Sequence, residues 1–228
     1  MVRDLTARIG AKIEMLKYSV IAVTPLQENC SLVWCDTTKK AAVIDPGGET
    51  ERIKALIEEK GVQLERILIT HCHFDHVGAV ADLAEQYEIP IDGPHLDDKF
   101  LVEGLPRQGD MFGYKSVRPF TPTRCLDQGD SIRIGEITLQ VLHCPGHTPG
   151  HLAFYNRESK LAFVGDVIFK GSVGRTDFEG SDHNQLIDSI REKLLPLGSE
   201  VTFIPGHGPS STFGEERLNN PFLLNNPI

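Results

Sequence analysis

Four potential metal donors fall within the six residues His71-Cys72-His73-Phe74-Asp75-His76. Imidazoles packed this densely repel one another when protonated, so their convergence with a carboxylate calls for a cation among them. Further donors lie downstream: His147 in Pro145-Gly146-His147-Thr148-Pro149-Gly150-His151, Asp166 in Val164-Gly165-Asp166, and His207 in Pro205-Gly206-His207-Gly208-Pro209. Seven donors, His71, His73, Asp75, His76, His147, Asp166 and His207, exceed the needs of one tetrahedral zinc. They suit two metals about 4 Å apart that share a carboxylate and a water. Imidazole and carboxylate without an essential thiolate favour Zn first, then Fe or Mn. Two such dications lower the pKa of water to about 7, so the chemistry on offer is hydrolysis by a hydroxide held between them near neutral pH. Asp75 then has a catalytic role as well, its free oxygen accepting the hydrogen bond of the nucleophile.

The elements that must position these residues are legible as apolar runs. Residues 67–70 lead into His71, 139–142 lead to His147, 161–165 end at Asp166, and 202–206 end at His207. Each run reads as a buried strand that delivers a donor at its C-terminal end, the edge where α/β folds build sites. Glycine beside the donor in three of these turns lets backbone pass close to a metal. Upstream, strands are expected over 18–24, 30–35 and 41–44, the last stopped by Asp45-Pro46-Gly47-Gly48. Ile53, Leu56 and Ile57 mark one face of a helix over 51–60 that Gly61 closes. Val77, Val80, Ala81, Leu83, Ala84 and Tyr87 predict one helix from Asp75 or His76 onward, with a short strand over 89–91 behind it. Residues 93–123, rich in Gly, Pro and mixed charge, read as a long irregular excursion that could line a cleft. Strands over 131–134, 137–142, 151–155 and 160–164, a helix over 185–195, a strand over 201–204 and a short helix over 211–218 complete the order.

With 228 residues, the chain suits one large domain over 15–228, after an N-terminal extension over 1–14 in which Leu5, Ile9 and Ile13 have helical spacing. A formal charge of -9 argues against nucleic acid and against an anionic membrane as partners. Cys30, Cys35, Cys72, Cys125 and Cys144 are odd in number and form no C-x-x-C pair, which fits a reducing cytosol. No apolar run approaches the roughly 20 residues of a membrane span, and no secretory signal is evident, so a soluble cytoplasmic protein is expected. Among the remaining candidates, His143 and His151 read as residues bonded behind the ligand His147. His183 reads as structural and His95 as a surface residue. In an extended H-x-H, Cys72 points away from both imidazoles. Asp45 reads as a tie between loops beneath the metals.

These motifs resemble the metallo-β-lactamase superfamily. Its H-x-H-x-D-H signature corresponds to His71, His73, Asp75 and His76, and its later ligands to His147, Asp166 and His207. Within it the chain is most similar to the short bacterial glyoxalase II, or hydroxyacylglutathione hydrolase-like, group. Stretches 24–35, 44–48, 142–151, 165–171, Gly174-Arg175-Thr176-Asp177-Phe178 and 205–217 carry that likeness. The resemblance implies a four-layer αββα sandwich with a dinuclear site at one edge. It implies that His71, His73 and His147 hold one metal, that Asp75, His76 and His207 hold the other, and that Asp166 bridges. The implied reaction is hydrolysis of S-D-lactoylglutathione to D-lactate and glutathione, with Arg175 as the basic residue near the substrate's glycyl carboxylate and Lys170 as a weaker contact. Full-length glyoxalase II enzymes add a C-terminal helical domain that this chain is expected to lack, and carry Tyr where Pro209 stands here. Alternatives are another hydrolase of the superfamily, a lactonase or phosphodiesterase, or the mononuclear-iron persulfide dioxygenase branch, which shares the Gly-Arg-Thr-Asp-Phe run.

Overall fold

The computed structural model describes residues 16–114 and 117–224. The extension expected over 1–14 lies outside the described residues. A first sheet runs in the order β1 (Leu16–Val23), β2 (Glu28–Cys35), β3 (Lys40–Ile44), β4 (Gln63–Leu68), β5 (Ile91–Asp92). Its first three strands are antiparallel hairpin neighbours, while β3, β4 and β5 are parallel. The parallel crossovers are helical: α1 (Thr50–Lys60) joins β3 to β4, and α2 (Phe74–Val77) and α3 (Val80–Tyr87) join β4 to β5. Lys99–Glu103 and Leu105–Phe112 form α4 and α5.

The second sheet comprises β6 (Ser131–Ile134), β7 (Ile137–His143), β8 (Leu152–Asn156) and β9 (Leu161–Gly165), with β12 (Thr202–Pro205) and β13 (Ser211–Thr212) beyond β9. Between them in sequence, β10 (Ile168–Phe169) and β11 (Ser172–Val173) make a small hairpin. The strand β12 runs parallel to β9. Helix α6 (His183–Ser189), continued by a wider turn over Ile190–Leu194, and helices α7 (Phe213–Asn219) and α8 (Pro221–Leu224) complete the chain.

Period-two alternation shows how four layers arise. In β3, Ala41 and Val43 face one core with Ile53, Ile57 and Leu83 of the helices. Ala42 and Ile44 face a second core between the sheets, with Ile132, Val141, Phe154 and Phe163. In β8, Leu152 and Phe154 join that central core, while Ala153 and Tyr155 turn outward to Leu186, Ile187 and Phe213 beneath α6 and α7. Strands buried on both faces must be apolar at every position, and for that reason they read as continuous runs. The architecture is the αββα sandwich. Among the described residues no helix is long and apolar enough to cross a membrane.

Two elements differ from expectation. The excursion over 93–123 is not wholly irregular: Leu96–Asp98, α4 and α5 coil there, with Val102 and Leu105 buried against the first core. Gly104, Pro106 and Gly113 punctuate pieces too short to show a period, which masked them. The helix expected to run unbroken from His76 to Tyr87 divides at Gly78-Ala79. There the Ala79 N–H turns out to the Pro46 carbonyl at 2.9 Å, and a Cβ on Gly78 would stand 2.3 Å from the Gly47 oxygen. Contact with the loop after β3 breaks the helix.

Helix α7 is held by Glu216, 2% exposed, which accepts from Gly171 N–H at 2.8 Å, Ser211 Oγ at 2.6 Å and Asn220 Nδ2 at 2.8 Å. Glu216→Ala leaves these donors without their buried acceptor, and chemical denaturation should show a loss of about 3 kcal/mol in unfolding free energy.

Candidate metal centre

The C-terminal ends of β4, β7, β9 and β12 open onto one edge of the sandwich, and there the seven expected donors meet. Two backbone bonds hold the sheets together beside it, Leu152 N–H to Thr70 O and Asn29 N–H to Gly206 O, both 2.7 Å. His71 and His76 are fully buried, His147 nearly so, and His73 and His207 half-buried. His71, His73 and His147 offer nitrogens within 4.8 Å of one another, and so do the donor atoms of Asp75, His76 and His207. His147 Nε2 lies 3.0 Å from His73 Nδ1, and His207 Nε2 lies 3.3 Å from Asp75 Oδ2. These spacings are near the edge of a tetrahedron with bonds of about 2.1 Å.

Asp166 stands between the two groups. Its Oδ1 is 3.5 Å from His76 Nε2, while its Oδ2 is 3.6 Å from His147 Nε2 and 3.7 Å from His207 Nε2. His71 Nε2, His76 Nε2 and Asp166 Oδ1 are buried without a hydrogen-bond partner among the described residues. Buried donor atoms left open toward one another fit a divalent cation, since each would otherwise be an uncompensated desolvated polar atom.

Protonation divides the site along the same line. Burial, reinforced by His147, holds His73 down at about 3, and burial followed by the neighbouring rings does the same in direction for His71. Burial also lowers His147, against the pull of Asp166. Burial thus favours the neutral form of all three rings, the form in which an imidazole nitrogen can ligate a metal. Burial opposes charge on His76 and His207 too, but there Asp166 and Asp75 outweigh it and raise both. Asp166 and Asp75 are correspondingly pushed up by burial and pulled further down by His76, and Asp166 falls well below the usual carboxylate range. Positive charge is favoured in this half by the two carboxylates, as it would be for a cation.

Supporting bonds fix the rings. His76 Nδ1 donates to Asp45 Oδ2 at 3.0 Å, and Asp45 Oδ1 accepts from Thr70 N–H at 2.8 Å. His147 Nδ1 donates to the Arg175 carbonyl at 2.8 Å and His207 Nδ1 to the Leu26 carbonyl at 3.1 Å. His151 stacks on His71 at 4.6 Å and accepts the Asp166 N–H at 3.0 Å, behind the donors as the sequence suggested. His143 donates to the Pro149 carbonyl at 2.8 Å. Cys72 turns into the first core. His95 departs from its expected surface position: it is half-buried and stacks on His143 with centroids 4.1 Å apart. His183 and Lys170 are exposed. Arg175 is exposed, paired with Asp177 at 2.8 Å, with its guanidinium 4.6 Å above the Phe178 ring. Phe178 in turn lies 4.8 Å from His73, on the open side of the donors.

Sequence reasoning missed two acids. Glu28 is fully buried, with Oε1 3.8 Å from His76 Nδ1 and both oxygens unpartnered, and burial raises its carboxyl. Asp98, also fully buried, accepts bonds from two ligand loops, and burial pushes it up to about 6. Neither has a motif around it, and only three-dimensional proximity reveals them.

The sandwich with a His/Asp centre at one edge defines a class, and the chain belongs to it: residues 23–207 match the metallo-beta-lactamase superfamily. Among individual proteins, the chain is 47% identical to the hydroxyacylglutathione hydrolase GloC of Haemophilus influenzae, over 91% of this chain and 98% of that one. The probable metallo-hydrolase YqgX of Bacillus subtilis is 36% identical over 91% and 98%. Of solved structures, TTHA1623 in a di-iron-bound form superposes with TM-score 0.83 at 43% identity, covering 90% of this chain and all (100%) of that one. The BLEG-1 B3 metallo-beta-lactamase gives 0.84 at 34%, covering 92% and 100%.

Asp45 fixes the His76 ring, so Asp45→Ala should lower divalent-cation affinity about 10- to 100-fold in competition with a chromophoric chelator.

Proposed function

We propose that the protein hydrolyses glutathione thioesters, converting S-D-lactoylglutathione to D-lactate and glutathione in the cytoplasm. In this reading two divalent ions are held, one by His71, His73 and His147 and one by Asp75, His76 and His207, with Asp166 shared. The observation that carries it is the placement of Asp166, one oxygen toward His76 and the other toward His147 and His207. Identity to a named hydroxyacylglutathione hydrolase along nearly the whole of both chains supports the substrate. Imidazole and carboxylate donors suit zinc, and the di-iron form of a 43% identical neighbour makes iron the other candidate.

Bound dications supply Lewis acidity toward the carbonyl oxygen and a water acidic enough to attack near pH 7. The protein's own residues do the rest. Asp75, held ionised by His76 and His207, keeps a carboxylate oxygen in the centre that can orient the attacking water through its proton. Attack forms the carbon–oxygen bond, and the carbon–sulfur bond then breaks with its electron pair leaving on sulfur. A thiol has a pKa of about 8.5, so the thiolate leaves without a strong general acid. Phe178 packs its ring edge-on against His73 at the rim of the donors. Arg175 stands on the same lip, and its exposed pairing with Asp177 is weak enough to exchange for a substrate carboxylate.

Asp75→Asn and His76→Ala should each lower kcat/KM for S-lactoylglutathione by more than about a hundredfold while far-UV circular dichroism is unchanged. Arg175→Ala should raise KM several-fold and leave kcat alone. The decisive measurement is elemental analysis run beside thioester hydrolysis and beside oxygen uptake with glutathione persulfide. Two ions per chain with hydrolysis are expected; one iron with oxygen uptake would replace this reading with the dioxygenase one.

A further inference from the structure

We infer that Asp98 is the positioning residue that sets the spacing of the His71, His73 and His147 donors, independently of the neighbouring Asp75, His76 and His207 group. The inference rests on the two-ion reading above.

Asp98 is fully buried where the coil over Leu96–Asp98 passes into α4. Its Oδ1 accepts the Gly150 N–H at 2.7 Å, and its Oδ2 accepts the Thr148 hydroxyl at 2.9 Å and the Cys72 N–H at 3.2 Å. Cys72 lies between His71 and His73, and Thr148 follows His147. One carboxylate thus grips both loops that bring these three imidazoles together. The fit is tight: a Cβ on Gly150 would come 2.7 Å from both the nitrogen and Oδ1 of Asp98, so only glycine admits the contact.

The same helical pair braces the signature loop again through Gln108 of α5, which accepts the Phe74 N–H at 3.1 Å and donates to the Leu101 carbonyl at 3.0 Å and the Cys72 carbonyl at 3.4 Å. The second donor group has different anchors. His76 is held by Asp45 and His207 by the Leu26 carbonyl, while Asn29 Nδ2 bonds Pro205 O at 3.0 Å and Gly208 O at 2.8 Å. No hydrogen bond from Asp98 to that group is present among the described residues. Asp98 is therefore confined to the loops of the first group, whereas Asp45 serves both, bonding His76 directly and reaching the His71 ring through the Thr70 hydroxyl.

Three donors converging on one buried side chain require an acceptor at both oxygens. Asp98→Asn keeps the shape but turns an amide NH2 toward either the Gly150 N–H or the Cys72 N–H, donor against donor, and the loops must part. Positions as close as these around an ion tolerate little drift, and loss of an outer partner typically weakens metal binding about 10- to 100-fold.

The test is a stepwise Zn²⁺ titration of chelator-stripped full-length protein against a chromophoric competitor, with apo-protein melting measured alongside. In a His207→Ala background, which leaves the His71/His73/His147 group intact, Asp98→Asn should weaken the retained ion about 10- to 100-fold. In a His147→Ala background it should leave the retained ion unchanged. Thr148→Val, which removes one of three donors, should give a smaller loss confined to the same ion and covers the case in which Asp98→Asn does not fold. Equal weakening in both backgrounds, or a fall in apo melting with no change in either affinity, would overturn the inference. A wild-type protein that takes up a single ion would instead defeat the two-ion reading itself.

Discussion

Everything at this edge of the molecule follows from one electrostatic constraint: imidazole and carboxylate donors from four strand ends approach to between 3.0 and 4.0 Å in a buried space. Desolvated donors at such distances are stable only with a positive charge among them. Asp166 and Asp75 favour the charged form of His76 and His207, while burial disfavours it on His71, His73 and His147. The two groups thus differ in their surroundings: carboxylates favour charge on His76 and His207, while burial opposes it on the other three rings.

The scaffold meets that constraint by making the donors rigid from behind. Strands buried on both faces cannot slide without moving apolar side chains between cores, so their C-terminal ends are fixed to within a register. The loops beyond those ends have no ladder to satisfy their backbone groups. Buried acids and carbonyls satisfy them instead, with Asp45 under Thr70 and His76, Asp98 under Cys72, Thr148 and Gly150, the Arg175 carbonyl behind His147, and His151 behind Asp166. The run from Gly174 to Phe178 consequently has two duties. Its backbone orients His147, and its side chains Arg175 and Phe178 stack beside His73, so the same run touches two donors.

The fold was legible wherever a residue's burial repeated with a regular period. The runs before His71 and Asp166 are apolar at nearly every position because both sheet faces are covered, and the helix after β3 shows Ile53, Leu56 and Ile57 on one stripe. Legibility failed where contacts across the chain overrode local pattern. The split at Gly78-Ala79 comes from Pro46 and Gly47, which are distant in sequence, and α4 and α5 are short pieces fixed by burial of Val102 and Leu105. His95 has no local signal for its stacking on His143, which stands at the end of β7, far along the chain.

The amino-acid sequence by itself pointed to the seven candidate donors, because metal chemistry needs particular residue types and these recur at the ends of recognisable strands. It also determined the layers, because period-two burial is written along each strand. Tertiary structure alone decided the distances between the donors, the placing of the Asp166 oxygens among His76, His147 and His207, and which buried acids hold the loops. Those properties depend on distances between residues far apart in the chain, as between Asp98 and Gly150 or between Glu28 and His76. A hydrogen bond reads separation in space, and no spacing along the chain encodes it.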